Sequence, residues 1–229
     1  MTTGQLVLPT AYLPPISWFA QLCSGEPIVI EQYEHFHKQT IRNRCTIDAP
    51  NGVLNLTVPI DKSNFSAGAK CLMKDVRISY REDWQHQHWN AIQSSYFNSP
   101  FFEYLQDDFR PIYQQHWTFL MDLNEALITK CCELIDIQPQ ISRSEDFILQ
   151  SSGSKSQDSS SKFQDSSSKF QSLGSKSQDS TVNCQLSTVN SQFPPYYQVF
   201  AHKHGFQPDL SIIDLLFNLG PESLLYLNK

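Results

Sequence analysis

Residues 31–59 read EQYEHFHKQTIRNRCTIDAPNGVLNLTVP, and the second half of this stretch has the pattern of two β-strands joined by a turn. Two runs rich in β-branched and apolar residues, Ile41–Asp48 and Val53–Ile60, are separated by Pro50-Asn51-Gly52. Asn-Gly is typical of the tight turn of a β-hairpin, because both residues tolerate positive φ. The stretch therefore predicts an antiparallel hairpin, and its first strand follows a dense run of charged and polar side chains.

The sequence before this hairpin predicts a βαβ unit. Gln5–Pro9 is a short apolar strand, and Pro14-Pro15 opens a helix that runs to about Cys23. Pro27–Gln32 is apolar on both faces, as the strands of a parallel sheet are. A strand, a helix and a second strand within about 30 residues is the spacing of a parallel βαβ unit.

Helical patterns dominate the rest of the chain. Trp84, His88 and Ile92 recur at four-residue spacing, which is typical of one face of a helix. The predicted helices are Glu82–Phe97, Pro100–Phe109, Trp117–Ile135 and a C-terminal helix that begins at Ser211 and ends near Gly220. We therefore expect an α/β fold with a mixed sheet, a βαβ start plus an antiparallel hairpin, flanked by helices. An α+β arrangement is the alternative.

Residues 151–192 differ in composition from the rest of the chain. Sixteen of these 42 residues are serine, and a seven-residue repeat containing Ser-Lys and Gln runs through them. A coiled coil needs two apolar positions in every seven, whereas here only one position is ever aromatic. Such a segment buries too little apolar surface to offset the entropy of ordering. We expect a disordered insertion in one domain formed by residues 1–150 and 193–229.

The composition excludes several classes of protein. The net charge is −6 and no run of Lys and Arg occurs, which argues against nucleic acid as a partner. The apolar runs are far shorter than a membrane span, and the N-terminus has no charged start followed by an apolar run. The six cysteines are scattered without Cys-x-x-Cys spacing and are expected to be reduced thiols. We predict a cytoplasmic protein without a membrane span.

The polar run before the hairpin holds the candidate substrate-binding residues. Arg42 and Arg44 are two positions apart on the predicted strand, so their side chains are expected on one face. Two guanidinium groups there could hold a phosphate or a carboxylate in bidentate fashion. The alternative is that one of them pairs with Glu31 or Glu34 and holds the hairpin in place. Lys38 could add charge to the same site or could be a solvated turn residue.

Histidines give a second set of candidates, because three His-x-His pairs occur. Only His35/His37 could share a face and bind a divalent metal, with Glu31 or Glu34 as a third ligand, since residues two apart on a helix point in different directions. His35 as a general base, or as a histidine satisfied in the core, is favoured over a metal ligand. His88 fits a buried histidine hydrogen-bonded to the hairpin.

Asp214 follows Ser211 by three residues, which is a weak form of the capping box. Its carboxylate is therefore either the partner of Ser211 at the start of a helix or a catalytic group. No Gly-x-Gly-x-x-Gly, P-loop or Gly-x-Ser-x-Gly motif occurs, so common nucleotide-dependent and hydrolase chemistries lose support. The sequence identifies no cofactor.

Several separated motifs, in order along the chain, resemble those of one known family. They are Pro9-Thr10-Ala11-Tyr12-Leu13-Pro14, Asn43-Arg44, Leu56-Thr57-Val58-Pro59, Trp84 with His88 and Tyr96, Pro100-Phe101-Phe102, Ser211–Leu216 and Gly220-Pro221-Glu222. On these motifs the chain is identified as a member of the WbqC-like family, bacterial proteins linked to O-antigen and other surface-polysaccharide biosynthesis. The chain departs from the family at Leu8-Pro9-Thr10, where many members have His-Gln-Pro.

The resemblance implies a role in surface-polysaccharide biosynthesis, and acyl or aminoacyl transfer to an amino sugar is our leading hypothesis. The expected partner is a small anionic molecule such as a nucleotide-sugar or a carrier-bound acyl group. His35 or Glu31 would handle protons, and the substrate-binding set would be Lys38, Arg42, Asn43, Arg44, Tyr12 and His88. One alternative is a non-catalytic scaffold of a polysaccharide assembly complex. The other is a metal-dependent hydrolase that uses His35/His37.

Overall fold

A computed structural model of the protein describes residues 5–63, 71–148 and 193–228. Its first sheet is parallel and has the strand order β1-β2-β5, with β1 at Leu6–Pro9, β2 at Ile28–Glu31 and β5 at Ile141–Arg143. A short helix α1, Ile16–Phe19, and a 3₁₀ turn, Ala20–Ser24, connect β1 to β2. The predicted βαβ start is therefore present, and β5 is a third strand that the sequence did not predict.

The predicted hairpin is present but forms a sheet of its own. Strand β3, Arg44–Ala49, pairs antiparallel with β4, Gly52–Thr57, and Arg44 lies opposite Thr57. Gly52 has a φ of +107°, the positive value that the turn requires. The first strand begins three residues later than the sequence indicated, because residues 41–43 form a turn in which the Asn43 N–H donates to the Thr40 carbonyl at 3.3 Å.

Several of the helices pack around one buried helix near the C-terminus. After α1, the α-helices are α2 at Trp84–Tyr96, α3 at Phe102–Gln114, α4 at Leu120–Ile135, α5 at Ala201–His204, α6 at Ile212–Leu219 and α7 at Ser223–Leu227. Every residue of α6 from Ile212 to Asn218 is buried. Phe217 of α6 meets the rings of Phe102 and Phe109 edge-on, with ring centroids 5.1 and 5.6 Å apart. A helix that is apolar on nearly all sides is the expected centre of such a core.

The architecture confirms the α/β class, with a parallel sheet and an antiparallel hairpin flanked by helices. Residues 5–148 and 193–228 belong to one compact unit. The predicted disordered insertion, residues 151–192, lies outside the described residues. Within the described ranges, every helix is too short or too polar to cross a membrane.

Candidate functional site

The loop after β1 and the turn before β3 meet beyond the carboxyl ends of the parallel strands. Tyr12 donates its backbone N–H to the carbonyl of Ile41 at 2.9 Å. The amide of Asn124 on α4 bridges the same two segments, donating to Thr10 Oγ1 at 3.1 Å and to the Arg42 carbonyl at 2.8 Å. In α/β proteins ligands commonly bind beyond this edge of the sheet. The residues predicted from the polar run are therefore anchored where a site is expected.

Tyr12 and His88 contact each other in the core. The Tyr12 hydroxyl lies 2.8 Å from His88 Nδ1 and 2.7 Å from the Tyr113 hydroxyl. Burial lowers the pKa of His88 to about 4, although a hydrogen bond to the Thr57 carbonyl opposes this shift. The imidazole is therefore neutral and carries its proton on the nitrogen that faces Thr57. Nδ1 then accepts from Tyr12, and Tyr113 donates to the Tyr12 oxygen.

Arg44 lies at the outer end of the same hydrogen-bonded chain. Its Nε donates to Thr57 Oγ1 at 3.1 Å, and Thr57 is the residue whose carbonyl meets His88. The Arg44 side chain is half-buried. In the described part of the chain no carboxylate forms an ion pair with its guanidinium group. We call Arg44, Thr57, His88, Tyr12 and Tyr113 the Arg44 chain.

Arg42 has a different environment from Arg44. It is 6% exposed and forms a bidentate pair with Glu34, with Nε 2.7 Å from Oε1 and Nη2 in contact with Oε2. Because β3 begins at Arg44, Arg42 lies in the preceding turn, and the two guanidinium groups do not share a strand face. For Arg42 the structure therefore has the alternative arrangement, in which one of the two arginines pairs with Glu34.

Asn43 and Glu31 make contacts within the scaffold. The Asn43 amide donates to the Val58 carbonyl at 3.0 Å. The Glu31 carboxylate accepts from Ser144 Oγ at 2.9 Å and from the N–H groups of Tyr33 and Ile148 at 2.7 and 2.8 Å. Glu31 is 5% exposed, so its carboxylate fixes the chain segments that follow β2 and β5.

The remaining predicted residues are exposed on the segment between β2 and β3. His35, His37 and Lys38 all face solvent there, and no hydrogen bond or ion pair among the described residues joins their side chains to Arg44. In those parts of the chain no group of three or more His, Cys, Asp or Glu side chains is arranged to hold a metal ion. The suggested third ligands of a His35/His37 site, Glu31 and Glu34, are instead engaged with other partners.

A second polar cluster surrounds Asp214, which is 1% exposed. Its carboxylate accepts from the Tyr96 hydroxyl at 2.9 Å, from Gln198 Nε2 at 3.1 Å and from the Tyr196 hydroxyl. The Ser211 hydroxyl donates instead to the Leu13 carbonyl at 2.8 Å, so the predicted capping box does not form. Asp214 therefore has no capping role, and its contacts with Tyr96 and Tyr196 had no signal in the local sequence.

Asp48 of β3 adds a second buried carboxyl group to this cluster. It is 1% exposed, and the groups that favour its charged form are His204 and the backbone N–H groups of Ala49 and Phe200. Burial raises the pKa of Asp214 to about 6 against the effect of its three donors, and the charge of Asp48 adds to the rise. Burial also raises the pKa of Asp48, opposed mainly by His204. Two buried carboxyl groups therefore influence each other, and the pKa of each is raised.

This chain is similar to known proteins along nearly its whole length. The uncharacterized protein Rv1507c of Mycobacterium tuberculosis is 27% identical over 230 residues, which cover 96% of each chain. No solved structure matches the chain significantly. The sequence model of the WbqC-like protein family matches residues 10–226, which is nearly the entire length. The chain therefore belongs to the WbqC-like protein family.

Proposed function

We propose that this protein is a cytoplasmic enzyme of bacterial surface-polysaccharide biosynthesis that transfers an acyl or aminoacyl group to an amino sugar. Membership of the WbqC-like family supports the biological role. The chemistry requires recognition of a nucleotide-sugar or a carrier-bound acyl group, both of which carry phosphate. A cationic group that can accept a phosphate is therefore the first requirement of the site.

The environment of Arg44 is the observation that carries this proposal. Its guanidinium group is half-buried and has no carboxylate partner among the described residues, whereas that of Arg42 is neutralised by Glu34. The bond from Nε to Thr57 fixes the group and leaves the two terminal nitrogens to face an anion. Lys38 is proposed to add a second positive charge, and Arg42 to position the turn.

The neutral His88 and the two tyrosines of the Arg44 chain are proposed to hold Thr57, and thereby Arg44, in a fixed orientation. Preorganised donors stabilise developing negative charge without rearrangement during the reaction. His35 is proposed as the proton acceptor, because its imidazole is exposed and three residues from Lys38. Glu31 is proposed to support the loops, since three donors occupy its carboxylate.

Complementation of a strain that lacks the gene tests this proposal. We expect Arg44→Ala and His35→Ala to remain folded and to lower surface-glycan synthesis by about tenfold or more, since removing one charge-assisted contact costs roughly 1.5–3 kcal/mol. Arg110→Ala removes an exposed arginine from α3 and is the matched control. Full glycan synthesis by folded Arg44→Ala and His35→Ala would contradict the assignment of the site.

A non-catalytic scaffold in a polysaccharide assembly complex is the second candidate. One observation favours it. The carboxylate of Glu31, a candidate proton-transfer group, is occupied by hydrogen bonds from within the protein's own fold. Copurification of a stable protein partner, together with no turnover of any nucleotide-sugar, would support this role over the enzyme. The hydrolase that uses His35/His37 lacks a third ligand among the described side chains.

A further inference from the structure

A cavity of about 330 Å³ lies between the parallel sheet and α4, apart from the Arg44 chain. Ile30 of β2 and Ile141 of β5 form the sheet side of the cavity, and Met121, Ile128 and Cys132 form the helix side. The volume falls within the range of small-molecule sites, and the lining includes Thr10, directly after β1, and Arg143, the last residue of β5.

The inner wall of this cavity is apolar. Ile30, Met121 and Ile128 contribute only hydrocarbon and thioether groups. Burial raises the pKa of the Cys132 thiol to about 12, so this side chain is also uncharged and behaves as a small apolar group. A ligand that fills the space therefore gains most of its binding free energy from an aliphatic portion.

The rim of the cavity is charged, and its balance is acidic. Arg143 is held by Asp122 at 2.8 Å and by Glu125. Lys130 is held by Glu133 at 2.6 Å and lies 3.6 Å from Asp108, so each cation on or beside the rim contacts two carboxylates. The cavity itself is lined by two carboxylates, Glu125 and Glu133, and by one cation, Arg143. An anionic head group would have to displace a carboxylate from Arg143, whereas an ammonium group would meet a net negative lining.

We propose that this cavity binds a small aliphatic amine, with the alkyl chain against Ile30, Met121 and Ile128 and the ammonium group beside Glu125 and Glu133. The apolar wall favours a ligand with an alkyl chain, and the carboxylates that line the cavity favour a positively charged head group. The site goes beyond the proposed transferase activity and does not depend on it.

Calorimetric titration of the full chain with butylamine, hexylamine, hexanol and hexanoate tests the proposal. We expect affinity to rise about fourfold for each added methylene group, which is the equivalent of the usual transfer free energy. Hexylamine should bind at least threefold more tightly than hexanol and about tenfold more tightly than hexanoate. Equal affinities for hexylamine and hexanoate, or no binding of any probe at millimolar concentration, would overturn the proposal.

Two matched tryptophan variants locate the site. Thr129→Trp adds bulk at an exposed position on the cavity wall, and Gln140→Trp adds the same bulk at an exposed position outside it. Thr129→Trp should weaken hexylamine about tenfold or more, with Gln140→Trp close to the wild type. A double variant, Glu125→Gln with Glu133→Gln, should remove the preference for hexylamine over hexanol. Unchanged binding in Thr129→Trp, or an unchanged preference in the double variant, would contradict this location.

Discussion

At the level of single residues, two arginines only two positions apart have different environments: one is paired with a carboxylate and the other is not. Arg42 is buried and neutralised by Glu34, whereas among the described residues the Arg44 side chain donates to the hydroxyl of Thr57 and pairs with no carboxylate. The sequence offered both possibilities, because Glu34 lies close to either arginine along the chain. The start of β3 decides between them, since residues 41–43 turn Arg42 towards Glu34 before the strand begins.

The Arg42–Glu34 pair gives a stability prediction. Arg42→Ala leaves the Glu34 carboxylate, whose side chain is 18% exposed, without its partner and should lower the free energy of unfolding by roughly 3 kcal/mol. Urea denaturation of the purified protein measures this change. The double variant Arg42→Met with Glu34→Met should recover at least half of the loss, because neither charge is then buried alone. A loss of under about 0.5 kcal/mol in Arg42→Ala would mean that the pair contributes little.

His88 and Asp214 predict opposite dependences of stability on pH. The pKa of His88 falls from 6.5 to about 4 on folding, so the unfolded chain takes up the proton first and acidification destabilises the fold. The pKa of Asp214 rises from 3.8 to about 6, so its folded form takes up the proton first and acidification stabilises the fold. Both effects operate between about pH 7 and pH 5.

Thermal or urea unfolding of His88→Gln and Asp214→Asn separates the two contributions. On going from about pH 7 to pH 5, the stability of the wild type relative to His88→Gln should fall by roughly 2 kcal/mol. Relative to Asp214→Asn it should rise by roughly 1 kcal/mol over the same interval. Asp107→Asn, which alters an exposed carboxylate on α3, serves as the control. Slopes of the same sign for both variants would contradict the burial argument.

At the scale of elements, α6 illustrates what local sequence determines. Ser211 is the N-cap residue, and the helix ends at Leu219 with Gly220 as its C-cap, close to the end that the pattern indicated. The partners of its polar side chains were not predictable, because Ser211 donates to Leu13 and Asp214 accepts from Tyr96, both more than 100 positions away in sequence. A capping box is a local motif, but here the side chains of Ser211 and Asp214 form hydrogen bonds with residues distant in sequence instead of with each other's backbone.

The end of α6 supplies a second stability prediction. A Cβ atom on Gly220 would lie 2.5 Å from the ring of Phe101, and its φ of +54° already disfavours other residues. Gly220→Ala should therefore lower the free energy of unfolding by roughly 3 kcal/mol, since it adds a clash to the backbone strain. Gly25→Ala is the matched control, because its φ is +76° but its surroundings are open. Its cost should be only about 1 kcal/mol, and equal costs would exclude the clash.

At the scale of the whole molecule, the α/β class and the order of the main elements were predictable. The β1-α1-β2 unit and the hairpin each have a strong local signature in apolar runs, prolines and Asn51-Gly52. Strand β5 was not predictable, because its three residues are all exposed and carry no apolar alternation. The sequence placed Tyr12, His88 and Arg44 in one candidate site, but their burial and their link through Thr57 depend on long-range packing.

Arg44 is proposed to hold an anionic substrate, and native mass spectrometry of ligands that copurify with the protein tests this role. Three proteins should be expressed separately in the same host strain and purified in parallel: the wild type, Arg44→Ala and Arg110→Ala. We predict a bound phosphate-containing molecule, a nucleotide-sugar or an acyl carrier, on the wild type and on Arg110→Ala, and its loss from folded Arg44→Ala. The same ligand at equal occupancy on Arg44→Ala would contradict this role of Arg44.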